Sequence, residues 1–209
     1  MRERFKPKLA VPVDFQSFWD KTLSELAKVP SALEQIPQGV PGEENIFHEA
    51  LSFDSLGKAK ISGYRLGWKD EAKRPLVIHA HGYQSQCEVR WDWARKGLNV
   101  LGVDIRGFGK SADAVPRLSH WGYILTGRES PEGFILRGAV CDYLRAVQVG
   151  RELFQGNIER LVLHGISFAG GLALIAEALA PAADLLVLGV PSFGWVEGRL
   201  FFVKSGSGL

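Results

Sequence analysis

Residues 160–181, R-L-V-L-H-G-I-S-F-A-G-G-L-A-L-I-A-E-A-L-A-P, constrain the fold of this chain more than any other stretch. The apolar run 161–163 is too short for a helix and suits a strand buried on both faces. Gly165, Gly170 and Gly171 then surround a single serine, Ser167. Residues 172–180 are nearly all apolar helix formers, and Pro181 ends the run. Strand, tight turn with serine at its apex and buried helix together form the sequence pattern of a nucleophile elbow. Small neighbours are needed because the serine occupies a sharp backbone position, and glycines let strand and helix approach closely. The fifth position of G-x-S-x-G is Ala169, a departure from the bare motif. A glycine-rich strand-to-helix turn in another doubly wound sheet, with serine present by chance, has the same appearance.

Short apolar runs elsewhere agree with a sheet of this kind. Residues 76–80, 98–103, 161–163 and 185–190 are short apolar strands with helical segments between them, the pattern of a parallel sheet covered on both faces. Ahead of them, 45–53 and 58–66 read as an antiparallel hairpin turning at Asp54-Ser55-Leu56-Gly57. Asp14 is placed to cap an amphipathic helix. Phe15, Phe18, Trp19, Leu23, Leu26 and Val29 line one face, and Pro30 stops it. Residues 31–43, rich in Pro and Gly, read as loop. Ser130 and Pro131 open a second helix carrying Leu136, Val140, Tyr143, Leu144 and Val147, which Gly156 closes. Residues 111–130 form an irregular excursion after a strand end, where substrate-contacting loops lie in such sheets.

Composition excludes several classes. Hydrophobic residues make up 46% and charged residues 23%, ordinary for a globular domain of 209 residues. The net charge of +2 points to neither a nucleic-acid nor a membrane partner. Cys87 and Cys141 have no metal or redox spacing and read as buried free thiols. The basic N-terminus lacks a signal-type apolar core, so the expected compartment is the cytoplasm. No cofactor or metal is called for.

His79 and His81 follow the first parallel strand in H-A-H-G-Y. Without acidic neighbours they form a poor metal site, and packing or supporting hydrogen bonds at the strand end is the reading adopted for both. An oxyanion hole needs two backbone N–H groups aimed at one point. In α/β-hydrolases one follows the nucleophile and the other lies on the loop after this earlier strand. Phe168 and Tyr83 are therefore the candidate donors, with Ser167 the candidate nucleophile. After the next strand, D-I-R-G-F-G-K-S ends like a phosphate loop, but Asp104 stands where that motif requires glycine, and a carboxylate repels phosphate.

H-G-Y, R-G-F-G and G-I-S-F-A-G-G, in this order, resemble the acetyl xylan esterase/cephalosporin-C deacetylase family. D-F-Q-S-F-W-D-K-T-L resembles that family's N-terminal helix, R-G-A-V-C-D-Y-L-R-A-V the helix before its elbow strand, and K-S-G-S-G a segment beyond the elbow. The resemblance implies an α/β-hydrolase fold and a serine nucleophile at Ser167. It also implies removal of acetyl groups from sugars or related small esters, and a homo-oligomer, commonly a hexamer. Two positions depart: the family usually has glutamine where Phe108 and Phe168 stand, which changes the polarity of the site. The triad of this fold runs Ser, Asp or Glu, His along the chain. Here the last histidine is His164, and only Glu177, Asp184 and Glu197 follow Ser167 as carboxylates. His120 is the one histidine that the irregular segment could fold over the elbow.

The expectation is one domain over 1–209, with a helix region at 1–30 and a sheet body at 44–209. It reads as the N-terminal part of a longer esterase, with C-terminal strands, acid and base missing and residues 185–190 left as an edge. Such a chain alone is expected to be a poor catalyst and to associate through that edge. The alternative is a non-catalytic α/β-hydrolase-like protein or interaction module; a nucleotide-binding domain is a more distant one.

Overall fold

The structure, a computed structural model, describes residues 10–39, 42–115, 118–120 and 122–194. In chain order the elements are α1 (Phe15–Ala27), β1 (Glu34–Gln38), β2 (Ile46–Asp54), β3 (Lys60–Trp68), β4 (Arg74–Ala80) and α2 (Trp91–Ala94). They continue with β5 (Asn99–Val103), α3 (Ile135–Leu153), β6 (Ile158–Ile166), α4 (Phe168–Leu179) and β7 (Leu185–Gly189). All seven strands form one sheet in the order β1-β2-β3-β5-β4-β6-β7. β1, β2 and β3 pair antiparallel, β3 meets β5 antiparallel, and β5, β4, β6 and β7 run parallel to one another.

The parallel strands sit where the apolar runs lie because a strand covered on both faces needs no polar alternation. One face carries Leu76, Ile78 and Leu101, all fully buried, beneath Gly150 of α3, where a Cβ would meet the side chains of all three. The other carries Tyr64, Leu66 and Val100 against Ala94, with Trp91 and Trp93 of α2 around them. Tyr143 lies buried in α3 within 3.0 Å of the carbonyls of both Ile78 and His164, which joins helix, β4 and β6. α1 lies across α3. Arg145 donates to the Leu26 and Val29 carbonyls at the C-terminal end of α1, the end where a cation is favoured. Arg137 reaches Thr22 and Glu25 on the same helix.

A buried ion pair ties the turn after β5 to α3. Arg106 donates through Nε and Nη2 to the two Asp142 oxygens at 2.8 and 2.7 Å, and its backbone N–H meets Oδ2 at 3.1 Å. A Cβ at Gly138 would overlap the guanidinium, so Gly138 and Asp142, one helical turn apart, together make the seat for Arg106.

Three local expectations are corrected. Residues 31–43 are not all loop: β1 pairs Ile36 with Ala50, and sequence patterning missed it because all five of its residues are exposed. α3 begins at Ile135 rather than at Pro131; residues 130–133 form a turn in which the Ser130 hydroxyl accepts the Gly133 N–H. Asp14 precedes α1 but makes no side-chain cap bond. The K-S-G-S-G segment lies outside the described residues. Among those described, β7 is the last strand, with Leu185 and Val187 exposed. No described helix is long and apolar enough to cross a membrane.

Asp142→Ala leaves a guanidinium buried without its partner, an uncompensated charge that costs about 3–5 kcal/mol. Urea denaturation should therefore show Asp142→Ala far less stable than the parent. A change of a few tenths of a kcal/mol would mean that the pair is not structural.

Candidate active site

β6 ends at Ile166 and α4 starts at Phe168, so one residue, Ser167, makes the whole connection. Its backbone lies at φ 55°, ψ −114°, a positive φ that L-residues rarely adopt. The turn is that tight because strand and helix backbones touch. A Cβ at Gly165 would overlap the Ala169 backbone, and one at Gly170 would lie 2.9 Å from the Gly165 carbonyl oxygen. Ala169 is fully buried with its methyl accommodated, which explains why the fifth motif position need not be glycine. The Ser167 N–H donates to Gly189 O at 2.8 Å, while Ser167 O accepts from Gly171 at 3.0 Å and Ser192 at 2.9 Å. The elbow is thereby held from both sides. The hydroxyl, half-buried, lies 3.4 Å from the Ser192 hydroxyl.

Tyr83 lies in the turn after β4 and Phe168 opens α4, whose first N–H groups have no intrahelical acceptor. The two residues expected as oxyanion donors come together, their rings 5.9 Å apart. Phe108 and Tyr123 complete a four-ring cluster. Phe108 sits 5.6 Å from Tyr83, 5.8 Å from Phe168 and 4.3 Å from Tyr123. Tyr123 sits 6.1 Å from Tyr83 and 5.9 Å from Phe168. Packed rings therefore occupy the two positions where the resemblance leads one to expect glutamine. Phe168 is 1% exposed, so its side chain fills the core beneath the elbow. Tyr83, by contrast, is only half-buried. The cluster has no local signature in the sequence, since its four rings come from four separate segments with no shared periodicity.

The turn 104–111 is organised around its own carboxylate. Asp104 Oδ1 accepts the Cys87 N–H at 2.6 Å and Oδ2 accepts the Lys110 N–H at 2.8 Å. A Cβ on Gly109 would collide with that carboxylate. The space and the amide that a phosphate loop offers its ligand are thus already taken, which removes the phosphate reading.

The histidines near the strand ends serve the scaffold. His79 Nε2 lies 2.6 Å from the Tyr64 hydroxyl, which also donates to Glu88 O and accepts the Arg90 N–H. Burial, with neighbouring His164 adding to it, pushes the His79 imidazole down to about 3. His81 bonds Gly82 O and the Ile105 N–H. Burial holds the pKa values of both His81 and His164 below the ordinary range. A cavity of about 280 Å³, lined in part by His79, His81, Arg90, His164 and Ile166, opens beside the elbow strand. No group of three or more His, Cys, Asp or Glu side chains that could hold a metal occurs among the described residues. Both cysteines are free thiols, with Cys141 buried and Cys87 half-buried.

Two outcomes follow from this geometry. Backbone strain of the Ser167 kind costs about 1–3 kcal/mol, and glycine relieves it, so Ser167→Gly should raise stability by about 1 kcal/mol. Thermal denaturation showing a loss instead would mean that the turn is unstrained. His79 is protonated near 6.5 in an unfolded chain but only near 3 when folded, so the unfolded state binds the extra proton. Stability is then fully present above that ordinary value and falls with pH below it. Between pH 7 and 5 the loss is about 2 kcal/mol from this group. Urea midpoints should show this loss, and His79→Gln should lessen it; a flat profile in the parent protein would contradict it.

The acetyl xylan esterase (AXE1) family model matches residues 2–194. The fold is similar to acetyl xylan esterase from Paenibacillus sp. R4, with TM-score 0.84 and 22% identity over 97% of this chain and 67% of that one. It is also similar to acetyl xylan esterase 1 from Thermoanaerobacterium sp. JW/SL YS485, with TM-score 0.79 and 23% identity over 90% of this chain and 62% of that one. Brefeldin A esterase, a bacterial homologue of human hormone sensitive lipase, shares the architecture more distantly, with TM-score 0.51 and 18% identity over 94% of this chain and 55% of that one. The chain thus spans about two thirds of the length of the two acetyl xylan esterases. With its family model matched almost throughout and its sheet and elbow arranged as above, the chain belongs to the acetyl xylan esterase family and has the α/β-hydrolase fold.

Proposed function

We propose that this chain carries the nucleophile and the oxyanion hole of a serine esterase that removes acetyl groups from carbohydrates or related small esters. The observation that carries the reading is the Ser167 backbone at φ 55°, ψ −114° between β6 and α4, which lifts one hydroxyl out of a buried junction. In this mechanism Ser167 Oγ attacks the acetyl carbonyl carbon while a general base takes the hydroxyl proton. The Tyr83 and Phe168 N–H groups receive the negative charge that develops on the carbonyl oxygen. Collapse of the tetrahedral intermediate breaks the bond to the sugar oxygen, which leaves protonated as an alcohol. Water then releases acetate from the acyl-serine by the same steps in reverse order.

Both nitrogens of His81 are engaged elsewhere, and the His79 imidazole is buried against Tyr64. The base is therefore assigned to neither of these two histidines. With the half-buried Tyr83 ring beside Phe168, acetyl is favoured over butyryl, by about 1–3 kcal/mol for each added methylene in a tight pocket. The protein acts as a homo-oligomer on small acetylated sugars, without cofactor.

A second reading, a non-catalytic α/β-hydrolase-like module, draws support from the Ser167 hydroxyl facing the Ser192 hydroxyl, which is no base at neutral pH. Hydrolysis of 4-nitrophenyl acetate and of acetylated xylo-oligosaccharides by the gene product that contains this chain separates the two. Ser167→Ala should lower turnover on the order of 10⁶-fold with the protein still folded. Near-normal turnover in that variant would end the nucleophile assignment, and an inactive parent would favour the module.

A further inference from the structure

His81 follows β4 directly and is 6% exposed. Its Nε2 accepts the Ile105 N–H at 3.1 Å, so that nitrogen carries no proton. Its Nδ1 lies 2.7 Å from Gly82 O, which can only accept, so Nδ1 carries the proton and donates it. One protonation state satisfies both bonds: the neutral Nδ1–H imidazole. Gly82 O belongs to the peptide unit whose other end is the Tyr83 N–H. Peptide units are planar, and no cis bond occurs among the described residues, so this C=O and N–H point in opposite directions. Holding the oxygen against His81 therefore aims the Tyr83 N–H away from the imidazole.

The ring itself is clamped. Phe108 packs edge-on at 5.2 Å and Phe168 lies nearly parallel at 6.4 Å, with 29° between the planes. One imidazole thus touches the segments that carry both candidate donors. The next residue, Gln84, sits at φ 55°, a conformation that persists only where its surroundings hold it. A loop with such a residue needs an anchor, and His81 joins it to the start of the turn after β5.

We propose that His81 is a positioning residue for the oxyanion hole, its Nδ1–H fixing the Gly82–Tyr83 peptide so that the Tyr83 N–H points at the developing oxyanion. The proposal rests on the esterase reading for its catalytic consequence alone; the hydrogen-bond geometry stands without it. Losing an oxyanion donor costs about 10²–10³ in kcat, and a misaimed one loses a large part of that.

Three measurements on the gene product that contains this chain test it. Nitrogen-15 NMR should find His81 protonated at Nδ1 and bare at Nε2. His81→Phe keeps a ring but neither hydrogen bond, and should lower kcat for acetyl esters about 100-fold with KM within about threefold. It should also speed hydrogen exchange of the Tyr83 amide at least about tenfold through local opening. His81→Asn places an N–H near the Nδ1 position and should restore most of both losses. Where His81→Phe fails to fold, His81→Gln replaces it, since its amide reaches toward Ile105 rather than Gly82; Asn should then outperform Gln. An Nε2–H tautomer, unchanged Tyr83 exchange, a loss carried by KM, or a loss that merely follows the folded fraction would each overturn the proposal. A parent protein without Ser167-dependent hydrolysis would refute the esterase reading instead, while the tautomer and the Tyr83 exchange rate still decide whether His81 holds the peptide.

Discussion

The contact between the β6 and α4 backbones is the constraint on which the rest of the site depends. Gly165 and Gly170 let the two elements approach until a Cβ at either position would strike the other's backbone. At that distance a single residue must reverse the chain, and Ser167 does so at positive φ. Strain of this size persists only where its surroundings over-determine it. Here Gly189, Gly171 and Ser192 hold both ends of the Ser167 backbone, so the turn is locked to β7 and to the segment after it.

Around this point the other loops are fixed by groups that are themselves buried. Asp104 gathers the amides of Cys87 and Lys110, Arg106 is seated on Asp142, and Tyr143 joins β4 to β6 from the helix side. Buried charges and polar groups are costly unless fully paired. The arrangement of the loops after β4 and β5 satisfies all of these at once, and it places Tyr83 beside Phe168. The four packed rings fill what remains, replacing polar side chains by shape at the base of the site.

Much of this was legible in the sequence, for identifiable reasons. β4, β5 and the 161–163 stretch of β6 announce themselves because strands buried on both faces are uninterrupted apolar runs, and β7 is as apolar a run although Leu185 and Val187 are exposed. The elbow is legible because its glycines, serine and apolar helix stand next to one another in the chain. β1 was not, since its residues Glu34, Gln35, Ile36, Pro37 and Gln38 all face solvent and include a proline at a sheet edge. The start of α3 is masked because Ser130 and Pro131 mimic a helix start while the chain is still turning toward Gly133. The seat of Arg106, the ring cluster and the role of His81 join residues far apart in the chain. No local spacing encodes such contacts.

The central claim is that Ser167 forms a covalent acyl intermediate. Rapid quenching of the gene product that contains this chain during turnover of an acetyl ester, followed by peptide mapping in the mass spectrometer, tests it most directly. The account predicts an acetyl group on the peptide spanning β6 and α4, located at Ser167. Acetylation at another residue, or steady turnover with no acylated peptide when deacylation is made rate-limiting, would contradict it.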